Sequence, residues 1–332
     1  MEAKYLSINR LMRQISLDVR YGLWDTNLAM KIPQPIPAVR RFTINDFNEQ
    51  FFDNDACLDW LMEQRYPDSR AICSYCKVER KHHRIATKKA YACDHCGTYI
   101  SPMAGTIFEK SSTSLRLWFY AMYLMSATRC GISAKQIQRE CGVTYKTAWR
   151  MFKQIRTLMA EDFTMSGPVE MDETFYGAPK KNQHANKRKQ GAHKDKQPIF
   201  GIVEREGRVT TKVVSDVKEK TLLPIVAERV LPASIVYTDS YTSYDNVRWM
   251  GNSYQHHRIN HSAGIYVMGH VHTQTIEGFW SLLKRGIGGV YHSVSTKYLQ
   301  SYCDEYSFRY NRRAGNEPMF TSLLSQVVAK AE

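Results

Sequence analysis

The chain has 332 residues, 43% of them hydrophobic, which is enough for two or three domains with real cores and excludes global disorder. Lys and Arg number 46 against 32 Asp and Glu, a net charge of +14 spread along the chain. This points to a polyanionic partner, nucleic acid before membrane, with a merely basic soluble protein as the alternative on charge alone.

The start, MEAKYLSINRLMRQ, has no continuous apolar run of the kind a secretory leader needs. The longest apolar run, Leu117 to Ala127, falls short of the roughly 20 residues that span a bilayer. A cytoplasmic protein without membrane contact is therefore expected, nucleoid-associated if bacterial. In that setting eight cysteines suggest metal binding more than disulfides.

Residues 1–45 form a mixed N-terminal segment ending in KIPQPIPAVRR, whose prolines argue for an extended linker. Residues 46–110 begin with one or two short helices, in which Phe47, Phe51 or Phe52, Leu58 and Leu61 recur at helical spacing. A cysteine block follows, Cys73-Ser-Tyr-Cys76, sixteen residues, then Cys93-Asp-His-Cys96. Each CxxC turn aims two thiolates at one point, and two such knuckles complete a tetrahedron around Zn2+. Four sulfur ligands leave no open position, so this zinc is expected to hold the fold and not to catalyse. His82, His83 and His95 are competing ligands, and Cys57, Cys130, Cys141 and Cys303 read as small core residues. The residues between the knuckles, KVERKHHRIATKKAY, should be largely exposed, as a phosphate-contacting face or simply a solvated one.

Residues 111–163 read as helical. GISAKQIQRECGVTYKTAWRMFKQI places a short helix from Ser133, a turn at Cys141-Gly142 and a second helix from about Thr144. Ile137, Val143, Ala148 and Met151 or Phe152 would face inward. Tyr145, Lys146, Thr147 and Arg150 would face outward, as a recognition helix in a DNA major groove requires. A plain helical hairpin packed on the ribbon is the alternative.

Residues 164–332 change texture. VEMDETFYG, PIFGIVERE and RVTTKVVSD read as strands, TLLPIVAERV as a helix with Pro224 in its first turn, and SIVYTDS as another strand. A helical pair, TQTIEGFWSLLKRGI and TKYLQSYCDEYSFRYNRR, closes the chain. The fold class is α/β with a mixed sheet. Asp172 stands in the first strand, on the face opposite Met171, Glu173 and Phe175, and Asp239 ends SIVYTDS. In the first helix of the pair Ile276, Phe279, Trp280, Leu283 and Ile287 form one apolar stripe. Glu277 and Lys284 lie together at its edge, about 20° apart on the helical wheel. Packing that stripe on the sheet would aim Glu277 at the strand ends carrying the two aspartates. Three converging carboxylates would hold two divalent hard cations, Mg2+ or Mn2+, to activate a nucleophile and stabilise the leaving oxygen of a phosphodiester. Lys284 could then hold a DNA phosphate.

The stretches MDETFYG, FGIVEREGRV, VYTDSYTSY, INHSAGIYV, HTQTIEGFWSLLKRGI and DEYSFRYNRR occur in this order. Together they resemble bacterial insertion-sequence transposases of the DDE class with an N-terminal zinc ribbon, the ISXO-two-like family. The resemblance implies an RNase H-like catalytic domain preceded by the ribbon and a helix-turn-helix-like DNA-binding region. It assigns the catalytic acids to Asp172, Asp239 and Glu277 and the basic position to Lys284. It further implies binding to terminal inverted repeats, strand cleavage and strand transfer, and at least a dimer to bring two ends together. The chain departs from the pattern at Gln274, where many relatives have Asn, and at Ser240, where an acid is common. A catalytically inactive DNA-binding descendant and an RNase H-like nuclease without joining activity are the alternatives.

Two further features complete the reading. The stretch Lys180 to Lys196 carries seven Lys or Arg and a single acid, and Lys187, Arg188 and Lys189 at its centre could grip DNA. His256, His257, His261, His270 and His272 have irregular spacing, which favours local packing or phosphate contacts over a second metal site.

Overall fold

Thr43 starts the first helix by a reciprocal cap. Its hydroxyl accepts from the Asp46 amide, and the Asp46 carboxylate accepts from the Thr43 amide at 2.6 Å. The computed structural model describes residues 41–128, 130–177, 196–251, 253–259 and 272–331. Helix α1 (Ile44–Gln50) leads to α2 (Asn54–Arg65), which Asp53 caps through the Ala56 amide. Phe47, Phe51, Leu58 and Leu61 are buried as the spacing predicts, whereas Phe52 is exposed.

Strands β1 (Arg70–Ile72), β2 (Glu79–Arg84), β3 (Tyr91–Cys93) and β4 (Tyr99–Ile100) form an antiparallel sheet. Arg84 fastens it to α2 through Asp55 at 2.6 Å, and the Tyr91 hydroxyl donates to Asp59. The basic segment between the knuckles is thus not uniformly exposed. His82 is buried opposite Cys93, and Arg84 spends its charge on α2.

Helix α3 (Leu115–Ala127) buries Trp118, Phe119, Met122 and Met125. Helix α4 (Ala134–Cys141), capped by Ser133, ends on Gly142, whose φ of +61° is a left-handed stop that glycine adopts without steric cost. Helix α5 (Tyr145–Met159) begins at the Thr144 cap. Ile137, Ala148, Met151 and Phe152 are all buried and Val143 packs against them, as expected. Cys57, Cys141 and Cys303 are core residues, but Cys130 is exposed, contrary to the expectation.

The second sheet contains β5 (Pro168–Tyr176), β6 (Gln197–Glu204), β7 (Val209–Val213), β8 (Ile235–Asp239) and β9 (Gln255–Ile259), in the order β7-β6-β5-β8-β9. The β5–β6 and β6–β7 pairs are antiparallel, and β5–β8 and β8–β9 are parallel. The mixed α/β class is as expected. Strand β9 is an addition that the polar sequence QHHRI does not announce.

Helix α6 (Glu219–Arg229) accompanies one face, over Met171, Phe200, Ile202 and Val236. It begins five residues before Pro224, which therefore lies in the second turn and not the first. The proline removes the N–H that would bond the carbonyl of Lys220, a residue on the exposed side of the helix.

Helices α7 (Gln274–Gly286) and α8 (Leu299–Asn311) cover the other face, over Ile199, Val203 and Val209. A further helix, α9 (Met319–Ala329), follows the expected pair. It returns to the start of the described chain, where Phe320 meets the rings of Phe42, Phe47, Phe51 and Tyr123. Helices α5 and α8 are joined by a buried ion network, in which Glu305 accepts from Arg156 at 2.8 Å and from Arg309 at 2.8 Å. No helix among the described residues is long and apolar enough to cross a membrane.

Candidate active site

The parallel register of β5 and β8 pairs Val169 with Val236 and Glu170 with Tyr237. Carried two residues further, it brings Asp172 beside Asp239. Strand alternation puts both on the α7 face, away from Met171 and Val236, which face α6. The Trp280 indole of α7 donates to Asp172 Oδ2 at 2.9 Å, and the Tyr241 amide donates to Asp239 Oδ1 at 2.9 Å. Burial, reinforced by the negative charges of Glu173 and Asp239, pushes the Asp172 carboxyl up to about 7.

Glu173 is next to this pair and adds its charge, although sequence reasoning missed it; its side chain lies on the α6 side of the strand, with Met171 and Tyr244. Its carboxylate accepts from the Tyr244 hydroxyl at 2.6 Å, and burial raises its pKa above the ordinary carboxylate range, with Asp239 adding to the rise. The adjacent pair Asp172-Glu173 was the available signal. Gly201 stands opposite Asp172 on β6. A Cβ there would fall 2.6 Å from Trp280 Cη2, so the absence of a side chain gives the indole its place over the strand.

The apolar stripe of α7 is buried as predicted, with Ile276, Phe279, Trp280, Leu283 and Ile287 all in one cluster. Glu277 lies in the first turn and is exposed, and the Thr273 hydroxyl donates to it at 3.0 Å. Lys284 lies exposed in the last turn. Gln274 is the first residue of the helix and is exposed. The three expected acids do not gather into a preformed cage. Among the described residues, the only group of at least three possible metal ligands whose donor atoms lie within 4.8 Å of one another is the cysteine set.

A second missed residue is Glu170, fully buried two positions before Asp172 on the same face. It accepts from the amides of Thr275 and Ile276 at 2.8 and 3.1 Å and from the Thr275 hydroxyl at 2.9 Å. Arg205 forms an ion pair with it at 2.8 Å. The same-face acid in VEMDE was visible, but the amides it accepts from lie 105 and 106 residues away.

Cys73, Cys76, Cys93 and Cys96 converge, with Sγ separations of 3.4 Å for Cys73–Cys96 and 4.0 Å for Cys76–Cys93. Four thiols converging from two knuckles fit a structural Zn2+. His83 and His95 are exposed, and buried His82 turns Nδ1 to the Arg80 carbonyl, so none of the three joins the set.

On α5, Tyr145, Lys146 and Arg150 are exposed and Thr147 is half-buried beside the Thr144 hydroxyl. Lys187, Arg188 and Lys189 lie outside the described residues, as do His261 and His270. His256 packs locally, sharing a 2.9 Å hydrogen bond with Thr238, and burial followed by Arg258 lowers its pKa to about 4. His257 stacks on Tyr237.

Comparison with known proteins adds the family. Residues 164–311 match the ISXO2-like transposase domain, and residues 53–99 match the transposase zinc-ribbon domain. An uncharacterized protein in transposable element ISH50 of Halobacterium salinarum is 28% identical over 267 residues, covering 76% of this chain and 90% of its own. An uncharacterized transposase-like protein of Haemophilus influenzae is 35% identical over 121 residues, covering 36% of this chain and 94% of its own. A chain in a solved simian T-cell lymphotropic virus intasome in complex with a PP2A regulatory subunit is 14% identical. That alignment covers 55% of this chain and 64% of the other at a TM-score of 0.28, a likeness too slight to build on. With both domains matched in order and the bacterial relative aligned over nearly its whole length, the chain belongs to the ISXO2-like transposase family of insertion sequences.

Proposed function

We propose that the chain is a working DDE transposase, which binds the terminal inverted repeats of its element and then cuts and joins DNA strands by metal-dependent phosphoryl transfer. The observation that carries this reading is that Asp172 and Asp239 each lie two residues past the last paired positions of the adjacent parallel strands β5 and β8, with the charge of Asp239 felt at Asp172. Two carboxylates on adjacent parallel strands face the same helix, one of them desolvated beside like charges. Such a pair is costly unless a cation shares the site. The central β5, flanked by antiparallel β6–β7 and parallel β8–β9 with helices on both faces, supports the RNase H-like reading. In this reading Asp172 and Asp239 hold two Mg2+ or Mn2+ ions, with Glu277 completing the set. Bound cations would supply Lewis-acid stabilisation of the attacking and leaving oxygens. Trp280 orients Asp172, and Lys284 holds a DNA phosphate on the same side of α7.

The paired helices α4 and α5, with a capped turn between them, support the helix-turn-helix reading, with Tyr145, Lys146, Thr147 and Arg150 toward DNA. Lys187, Arg188 and Lys189 would grip DNA nearer the cleavage point. The division into 1–45, 46–110, 111–163 and 164–332 follows from the same reading. Joining two element ends calls for at least a dimer.

The test is purified protein, wild type and Asp239→Ala, on the element's own end sequence with Mg2+ or Mn2+. Cleavage with strand joining in wild type alone is the expected result. Cleavage without joining would leave a nuclease. Specific binding without cleavage in either protein would favour a DNA-binding descendant.

A further inference from the structure

Glu170 is a charged side chain with no solvent exposure, set among the acids of the site without being one of the expected three. Its Oε2 takes the backbone amides of Thr275 and Ile276, the second and third residues of α7. Its Oε1 takes the Thr275 hydroxyl and Arg205 Nε. Helix α7 has Thr273 at its N-cap position, yet that side chain makes no cap hydrogen bond to the helix. The free amides of the first turn are instead satisfied from the sheet, by an acid that also meets the positive end of the helix dipole. Arg205 reinforces the arrangement. Its Nη2 donates to the His272 carbonyl at 2.8 Å, and its guanidinium lies 3.8 Å from the Tyr237 ring centroid.

Geometry gives this cap a consequence beyond helix stability. Glu170 and Asp172 stand two residues apart on one strand face, and Glu277 follows Ile276 directly. A single carboxylate thus ties the strand of the first acid to the turn that carries the third. We propose that Glu170 is a positioning residue for the metal site, fixing Glu277 relative to Asp172 by capping α7 from β5. The proposal rests on the transposase reading of the acids. Glu170 touches no substrate and holds no cation. It acts through the place of Glu277.

The experiment compares wild type with Glu170→Gln, which keeps the shape but replaces one acceptor oxygen with an NH2 group facing donors. Amide exchange of the segment 272–280 reads the cap without reference to activity. Cleavage of the element's ends as a function of Mn2+ concentration reads the site. Expected are faster exchange confined to that segment and a Mn2+ concentration for half-maximal cleavage raised about 10- to 100-fold, the usual cost of losing an outer support of a metal ligand. DNA binding without metal should be unchanged. Should Glu170→Gln fail to fold, Thr275→Val removes a single bond to the carboxylate and should shift both readouts in the same direction by less.

Unchanged exchange at 272–280 overturns the cap. Faster exchange with an unmoved Mn2+ dependence overturns the positioning role and leaves Glu170 a structural residue. Wild type that shows no metal-dependent cleavage sinks the transposase reading itself, and this inference with it, a result recognisable because it appears before any substitution.

Discussion

Replacing Gly201 with alanine puts a methyl where the Trp280 indole lies. The added Cβ falls 2.6 Å from both Cη2 and Cζ2 of the indole and 3.0 Å from Ile276 Cδ1. Carbon atoms in contact sit about 3.5–4.0 Å apart, so the ring must retreat by about 1 Å. Overpacking of this size costs about 1–3 kcal/mol. The retreat also stretches the 2.9 Å bond from Trp280 to Asp172 past the useful limit of about 3.5 Å. Trp280→Phe alone loses that bond, worth about 1.5–3 kcal/mol when the acceptor is charged. It also removes the ring atoms that meet the new methyl. The double variant should therefore be at least about 1 kcal/mol more stable than the sum of the single losses predicts. Guanidinium unfolding at pH 8, followed by far-UV circular dichroism, measures all four proteins. A Gly201→Ala protein within about 0.5 kcal/mol of wild type, or a strictly additive double variant, refutes the packing account of how α7 sits on β5 and β6.

Four further outcomes follow from other parts of the molecule. Glu305→Gln removes the anion between Arg156 and Arg309, which are 1% and 8% exposed, and should cost about 3–5 kcal/mol in the same unfolding assay; a loss under about 1 kcal/mol rejects the network. Asp304 is pushed up to about 6 by burial, against the opposing pull of Gln300, Lys330 and Lys212. The folded state thus holds its proton more tightly, and the stability linked to that proton is present below about pH 4 and lost as pH rises to about 6. Asp304→Asn should accordingly gain up to about 3 kcal/mol at pH 8 and nothing at pH 3.5, and an equal gain at both pH values contradicts the burial account. Metal analysis should find one zinc per chain; Cys76→Ser should abolish it and open residues 70–100 to protease, and full protease resistance in that variant rejects the structural role. Lys284→Ala should reduce the slope of log affinity for DNA against log salt by about 1, and an unchanged slope removes the phosphate contact.

The sequence disclosed the elements whose signals are local. Ser133, Thr144 and Gly142 mark the ends of α4 and α5 because caps act within a turn. Strands β5 to β8 carry enough β-branched residues and alternation to be read directly. The stripe of α7 predicted its buried face and put Glu277 and Lys284 at its edge, but the expected convergence of Glu277 on the aspartates does not appear as a close-packed group of ligands. Strand β9 escaped because an edge strand needs no apolar run, and four of its five residues are His, Arg or Gln. Helix α9 escaped because its partners, Phe42, Phe47 and Phe51, lie at the opposite end of the described chain. Glu170 was hidden for the same reason: an acid in a β-rich run gives no sign that it serves backbone amides more than a hundred residues later.

The two aspartates and the glutamate are placed by different physics. Asp172 and Asp239 belong to adjacent parallel strands, and the ladder that ends at Glu170 and Tyr237 sets the register from which both follow. Glu277 belongs to a helix, whose place on the sheet is set by side-chain packing of its apolar stripe and by a few polar contacts to the strands rather than by a shared ladder. Three contacts pin α7 to the strands beneath it: Glu170 at its first amides, Asp172 at the Trp280 indole, and the gap at Gly201 that receives the ring. Two of the three come from β5, the strand that carries the first acid. The position of the third acid is therefore written less in its own contacts than in residues one turn to either side of it. Substitutions at Glu170, Gly201 and Trp280 should accordingly act together on the proposed metal site, and a cycle combining any two of them should depart from additivity.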